Sequence, residues 1–192
     1  MNKIVQELVK HNIIDKNRTN TYKYGLEVLK IKFIVLTISI ILGCVFKSIS
    51  VLFLFLVLFV PLRRYAGGIH ANNKYVCMSL SIIILLLVQI GYKYIILDKC
   101  FSSVIVTLGT IIVVSLSPGE SKNHILNVEQ YKKYRYMSMI FSGINVVCFI
   151  VSLCLELSLL QYVSCTSLLI QELLLIPLLF MNKRNRKLVD DY

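Results

Sequence analysis

Val76-Cys77-Met78-Ser79-Leu80-Ser81-Ile82-Ile83-Ile84-Leu85-Leu86-Leu87-Val88-Gln89-Ile90-Gly91-Tyr92-Lys93-Tyr94-Ile95-Ile96-Leu97 holds a single charged side chain, Lys93. A helix that crosses a bilayer needs about 20 mainly apolar residues, and this run reaches that length. Its apolar residues are continuous, with neither helical nor strand alternation, which reads as a lipid-facing helix. The rest of the chain agrees. It is 57% hydrophobic and 16% charged, with a mean hydropathy of +0.74. Soluble domains run near roughly 45–50% apolar and about 25% charged. A soluble protein of 192 residues has too much surface for its volume to hide this apolar content.

Five further apolar runs flank the first: Ile31–Phe46, Ile49–Leu62, Phe101–Leu116, Met137–Leu157 and Tyr162–Met181. The expected fold is all-α, a polytopic bundle of about six spans, approximately 31–46, 49–62, 76–97, 101–116, 137–157 and 162–181. The first two runs are short and separated only by Lys47 and Ser48, so a re-entrant hairpin with four true spans is the alternative. Residues 1–30 do not span. Ile4, Val5, Leu8, Val9 and Ile13 recur at helical spacing among Lys3, Gln6, Glu7 and Lys10, the pattern of an amphipathic helix at the bilayer surface. Asn17 to Asn20 breaks it, and Thr21 begins the helix leading into the membrane. No repeat, low-complexity tract or linker divides the chain, so 1–192 reads as one domain.

The net charge of +11 lies between the apolar runs, which argues for bilayer orientation and against a nucleic-acid partner. With the N-terminus inside, segments 1–32, 63–75, 117–136 and 182–192 carry 18 of the 21 Lys and Arg. Lys47, Lys93 and Lys99 are left outside. Positive-inside bias therefore places both termini in the cytoplasm. The first thirty residues are dotted with Lys and lack an apolar core before a small-residue cleavage site, so the run from Ile31 reads as a retained span. The six cysteines, at 44, 77, 100, 148, 154 and 165, show neither a disulfide framework nor zinc-ligand spacing, and no metal site or cofactor is expected. Those at 44, 148, 154 and 165 lie in apolar runs, where cysteine acts as a small hydrophobe.

Between the second and third runs lies Arg63-Arg64-Tyr65-Ala66-Gly67-Gly68-Ile69-His70-Ala71-Asn72-Asn73-Lys74-Tyr75-Val76-Cys77. His70 and Cys77 are seven residues apart, near two helical turns, so a helix would put them on one face about 10.5 Å apart along its axis. Direct contact requires the backbone at Ala71–Asn73 to turn back, with Gly67 and Gly68 available to relax it. In contact, the imidazole takes the thiol proton and later protonates a leaving amine. Arg63, Arg64 and Lys74 would favour the thiolate, and an Asn side chain or a backbone N–H near the glycines could serve an oxyanion. On spacing alone, an interfacial His and a small apolar Cys at a helix start account for the same residues.

The same stretch, with Arg, Gly-Gly, His70 and a Cys seven residues later, resembles the His–Cys region of the AgrB family, membrane endopeptidases of Gram-positive peptide quorum sensing. Length, span number and a polar loop after the fourth run extend the resemblance over essentially the whole chain. It implies that Cys77 is the nucleophile and His70 its base and acid, cutting the C-terminal part from an AgrD-like precursor on the cytoplasmic side. The peptide would stay on Cys77 as a thioester until an internal Cys or Ser of the precursor closes a thiolactone or lactone ring. Neither metal nor ATP is implied for the chemistry. Arg64, Gly67 and Gly68 match the motif as structural or substrate-positioning residues. Pro118 and Lys122 are carried over from the loop after the fourth run, which otherwise departs from the family pattern.

Glu120 or Asn123 is a candidate partner orienting His70, against a plain solvated loop; His124 and His11 read as interfacial residues. Glu156 lies near the outer end of its span. Gln171 and Glu172 fall near the middle of the last one and are expected to face the bundle interior or a second subunit, lining a polar cavity or supporting helix packing. Basic residues of the N-terminal segment and the tail Lys183–Lys187 suit anionic lipid. A homodimer is a reasonable expectation. The rival readings are a small transporter or peptide exporter without proteolysis, and a non-catalytic scaffold.

Overall fold

The computed structural model describes residues 19–68, 74–119 and 128–190. These form six helices: α1 Thr19–Val45, α2 Ile49–Ala66, α3 Lys74–Tyr94, α4 Lys99–Leu116, α5 Val128–Cys154 and α6 Ser158–Asp190. Each contains a stretch long and apolar enough to cross a bilayer, and there is no strand among the described residues, so the protein is an all-α, multi-pass membrane protein. The expected amphipathic segment, residues 1–18, lies outside the described residues.

The run ends read from hydropathy shift. The spanning part of α1 starts at Gly25, so Glu27, Lys30 and Lys32 are inside the helix. Long side chains at a helix end can reach the interface, while the backbone must remain hydrogen-bonded throughout the bilayer. With 21 residues in the α1 span and 18 in α2, both are long and apolar enough to cross. In α2 the helix continues through Pro61 to Ala66, so Arg63–Ala66 form its last turn instead of a loop. In the opposite direction, α3 stops at Tyr94, and Ile95–Leu97 lead to Asp98, whose carboxylate caps α4 by accepting from Cys100 N–H (3.1 Å).

Two tight turns close helix pairs at the same end of the bundle. Lys47 and Glu156 both take a left-handed conformation (φ 53°), and the following N–H groups bond back to Gly43 O (2.8 Å) and Ser152 O (3.0 Å). This is the usual way to satisfy the last carbonyls of a helix, here with charged residues at position 47 and 156 instead of glycine.

α6 is the central helix. Within its span 44% of residues are buried in the bundle, against 11% in α1, which lies at the periphery. One core cluster joins Leu62, Val113, Phe149 and Leu168 from four helices; the other joins Phe55, Leu58, Val88 and Val163. Water cannot drive helix association inside lipid, so small and polar residues at the interfaces matter. Here Asn145 of α5 accepts from Ser167 of α6, Gln161 donates to Ser102 of α4 (2.8 Å), and Tyr162 donates to Val88 O (2.9 Å). All six cysteines are unpaired.

Candidate active site at the end of the second helix

The polar stretch begins inside α2. Arg63 and Arg64 occupy its last turn, where cations complement the partial negative charge of the helix C-terminus. Their side chains part company: Arg64 is exposed and lies 5.8 Å from the Tyr65 ring centre, while Arg63 is half-buried. Tyr65 stacks on Phe141 (5.5 Å) and meets Tyr134 edge-on (5.6 Å), fastening the end of α2 to α5.

Gly67 then breaks the helix. Its backbone (φ 74°, ψ −154°) belongs to a region open essentially to glycine alone. Its N–H bonds Arg63 O (3.2 Å), and its carbonyl accepts two hydrogen bonds, from Arg63 Nη1 (2.7 Å) and from Gln171 Nε2 on α6 (2.9 Å). Gly68 follows, buried and at φ 133°; a Cβ there would run into the Arg63 guanidinium and stand 3.1 Å from Leu174 O. The two glycines are thus points of close approach, whereas the spacing argument had them supplying slack.

The segment after α4 docks on the same point. Gly119 N–H bonds Ala66 O (2.8 Å), satisfying a last-turn carbonyl, and Gly67 and Gly119 form an isolated parallel bridge. Pro118 is buried beside it after a cis bond from Ser117, whose hydroxyl pairs with that of Ser138 on α5 (2.6 Å). Gly67, Gly68 and Pro118 are therefore neighbours in space. Lys122 lies outside the described residues, as do His70, His11, Glu120, Asn123 and His124.

Cys77 sits in the first turn of α3, half-buried. Lys132, Lys133 and Arg135 on α5 are exposed near the same end, below the Tyr134–Tyr65 contact. No group of three or more metal-ligating side chains exists among the described residues.

Gln171 and Glu172 do face the interior. Gln171 is fully buried with its Oε1 unpartnered, while a Glu172 carboxyl oxygen, also unpartnered, lies 3.2 Å from where a Gly109 Cβ would stand. The polar pair in the last span was visible in the sequence; its attachment to Gly67 was not. Nor was the inward turn of Arg63, since two adjacent arginines look alike in sequence. Gly119 was missed, with the glycine after Pro118 as its only signal.

The family described as accessory gene regulator B matches residues 1–176. Two curated proteins of Clostridium perfringens, both named for likeness to AgrB, are similar to this chain. The AgrB-like protein 2 of strain 13 / Type A is 28% identical over 141 residues, covering 69% of this chain and 66% of its own. The AgrB-like protein of strain SM101 / Type A is 29% identical over 142 residues, with the same coverage. This chain spans 66% of the length of these relatives, just under two thirds. No solved structure matches.

Proposed function

The chain belongs to the accessory gene regulator B family, and on that premise we propose that it is a membrane cysteine endopeptidase that processes an AgrD-like precursor into a cyclic signalling peptide. Cys77 attacks the scissile carbonyl as thiolate, its proton passing to His70. The tetrahedral intermediate collapses, the peptide C–N bond breaks, and the leaving amine takes the proton from the imidazolium. The N-terminal part of the precursor remains on Cys77 as a thioester, which keeps its acyl-transfer potential. An internal thiol or hydroxyl of the precursor gives its proton to His70, neutral again at this stage, attacks that thioester, closes the thiolactone or lactone, and releases the Cys77 thiolate.

The observation that carries this reading is the match of residues 1–176 to the accessory gene regulator B family, which spans both the Arg63–Cys77 stretch and the helices that hold it. The charge distribution supports placing this end of the bundle in the cytoplasm, where thiols stay reduced and the precursor is made. Arg64 and the exposed basic residues of α5 are then available to the precursor and to anionic lipid.

Co-expression of a candidate precursor with Cys77→Ala and with His70→Ala tests the reading. Both variants should reach the membrane at normal levels and leave the precursor uncut. Cleavage that persists in Cys77→Ala overturns the protease assignment. A transporter would instead tolerate Cys77→Ser and respond to substitution of Glu172.

A further inference from the structure

Ser142 Oγ, Ser164 Oγ, Gln171 Oε1 and Glu172 Oε2 are buried without a hydrogen-bond partner among the described residues. Buried polar atoms are seldom left so, because each loses its hydration with nothing in return. Glu172 belongs elsewhere, against Gly109 of α4. The other three belong to fully buried residues on the facing stripes of α5 and α6. On α6, Ser164, Ser167 and Gln171 follow at steps of three and four residues, and on α5 so do Ser138, Ser142 and Asn145. Each set therefore shares one helix face.

The bond from Ser167 Oγ to Asn145 Oδ1 sets the register between the two stripes. The helices run in opposite directions, joined by residues 155–157, so one turn back along α5 and one turn on along α6 reach the same level. Those steps lead to Ser142 and Gln171. A second route agrees. Phe141 stacks on Tyr65 in the last turn of α2, and Gln171 Nε2 donates to Gly67 O just beyond that turn (2.9 Å). Both side chains thus belong to one level of the α5–α6 seam, beside the end of α2.

Their chemistry matches one small molecule. Gln171 commits its NH2 end to Gly67 O, which leaves Oε1 as an acceptor only. The Ser142 hydroxyl can donate and accept, and it does not turn back to its own helix. Ser138, Ser152 and Ser167 all do, each donating to the carbonyl three residues before it. Complete burial of both residues excludes a peptide, a lipid or a hydrated ion. Water is small enough and carries both donors and acceptors, and buried waters commonly join polar groups that have no protein partner.

We propose that the α5–α6 seam holds a bound water at the level of Ser142 and Gln171, donating to Gln171 Oε1 and hydrogen-bonded to the Ser142 hydroxyl. Through it α5 is tied to Gln171, and so to the Gly67 turn. Ser164, three residues before Ser167 on the same stripe, continues the seam away from that turn. Between helices in lipid such polar links help to select one packing arrangement, since no hydrophobic force does so. The inference stands apart from the protease reading, because neither the site nor its test involves Cys77.

The test is a double-mutant cycle on the melting temperature of the full chain in mild detergent. Ser142→Ala takes one partner from the water and should lower the melting temperature by about 2–4 °C. In Gln171→Met, where Oε1 is gone, the same substitution removes only a stranded hydroxyl and should leave the melting temperature unchanged or raise it. An equal shift in both backgrounds overturns the proposal: a rise means a dry seam, and a fall means lost packing or a bond within α5. Ser152→Ala, whose hydroxyl is bonded to Phe149 O (2.6 Å), should shift equally in both backgrounds; a matching coupling there overturns the proposal as general loosening. Brief X-ray radiolysis of the unmodified protein in membranes gives a second readout, since hydroxyl radicals form where water is bound. Leu168, fully buried on the same stripe, should be oxidised, and should lose most of that label in the double variant. Phe55, equally buried in the other core cluster, should stay unlabelled. An unlabelled Leu168, or the same label in the double variant, overturns the proposal.

Discussion

Gly67→Ala probes the hinge directly. The native backbone at φ 74°, ψ −154° costs a side-chain-bearing residue about 1–3 kcal/mol. The new Cβ would stand 2.5 Å from Gly119 O, against about 3.5 Å or more for a relaxed contact. Relief requires Gly119 to withdraw by about 1 Å. That movement breaks its 2.8 Å bond to Ala66 O, worth roughly a further 1 kcal/mol. The total of about 2–4 kcal/mol corresponds to a fall of roughly 5–15 °C in melting temperature for a chain of this size. The assay is the fraction of protein remaining monodisperse in mild detergent after heating. Gly143→Ala is the control: nothing lies within 4 Å of its Cβ, and alanine in a helix interior should hold or slightly raise stability. If Gly67→Ala melts with the unmodified protein, the docking of the Pro118–Gly119 segment on the end of α2 is not what holds this hinge.

Further expectations concern topology, the outer turns and the last helix. A membrane-impermeant maleimide added to intact cells should label Cys100, exposed at the start of α4, and reach Cys77 only in inverted vesicles; the reverse pattern would invert the orientation. The hydrogen bond and charge of Lys99 (3.0 Å) hold the Glu156 carboxyl below its ordinary range. Any stability from the pair is therefore present above the ordinary carboxylate range and lost as pH falls through the lowered value. Both side chains are largely exposed, so Lys99→Gln should leave the melting temperature unchanged at neutral pH; a clear drop would show a stronger link between the two turns. Glu172→Leu should keep the fold, since the carboxyl oxygen it removes has no partner among the described residues, and should lower precursor processing. Unchanged processing and oligomeric state would show that the carboxyl serves neither.

The number of spans was legible because a bilayer imposes a simple rule, long apolar runs separated by charge. The run ends were less so. Arg63 and Arg64 read as loop because hydropathy scores a side chain where it begins, not where its charged end lies; their backbone continues α2. Ile95 to Leu97 read as part of the third span because they are apolar, yet α3 ends at Tyr94 and they lead to the Asp98 cap of α4. At the site, residue types pointed to a thiol, an imidazole and a glycine hinge. Contacts across the bundle, Gln171 to Gly67 and Gly119 to Ala66, join residues far apart in sequence, and nothing local in either partner names the other.

The most direct test of the account is the intermediate itself. Full-length protein in membranes is quenched in acid shortly after mixing with precursor, and the Cys77 peptide is examined by mass spectrometry. The account predicts the N-terminal part of the precursor joined to Cys77 through a hydroxylamine-sensitive thioester, absent in Cys77→Ala and enriched when the precursor's ring-closing Cys or Ser is replaced by Ala. Precursor cut at the same rate with Cys77 unmodified throughout, or the adduct on another cysteine, would contradict it.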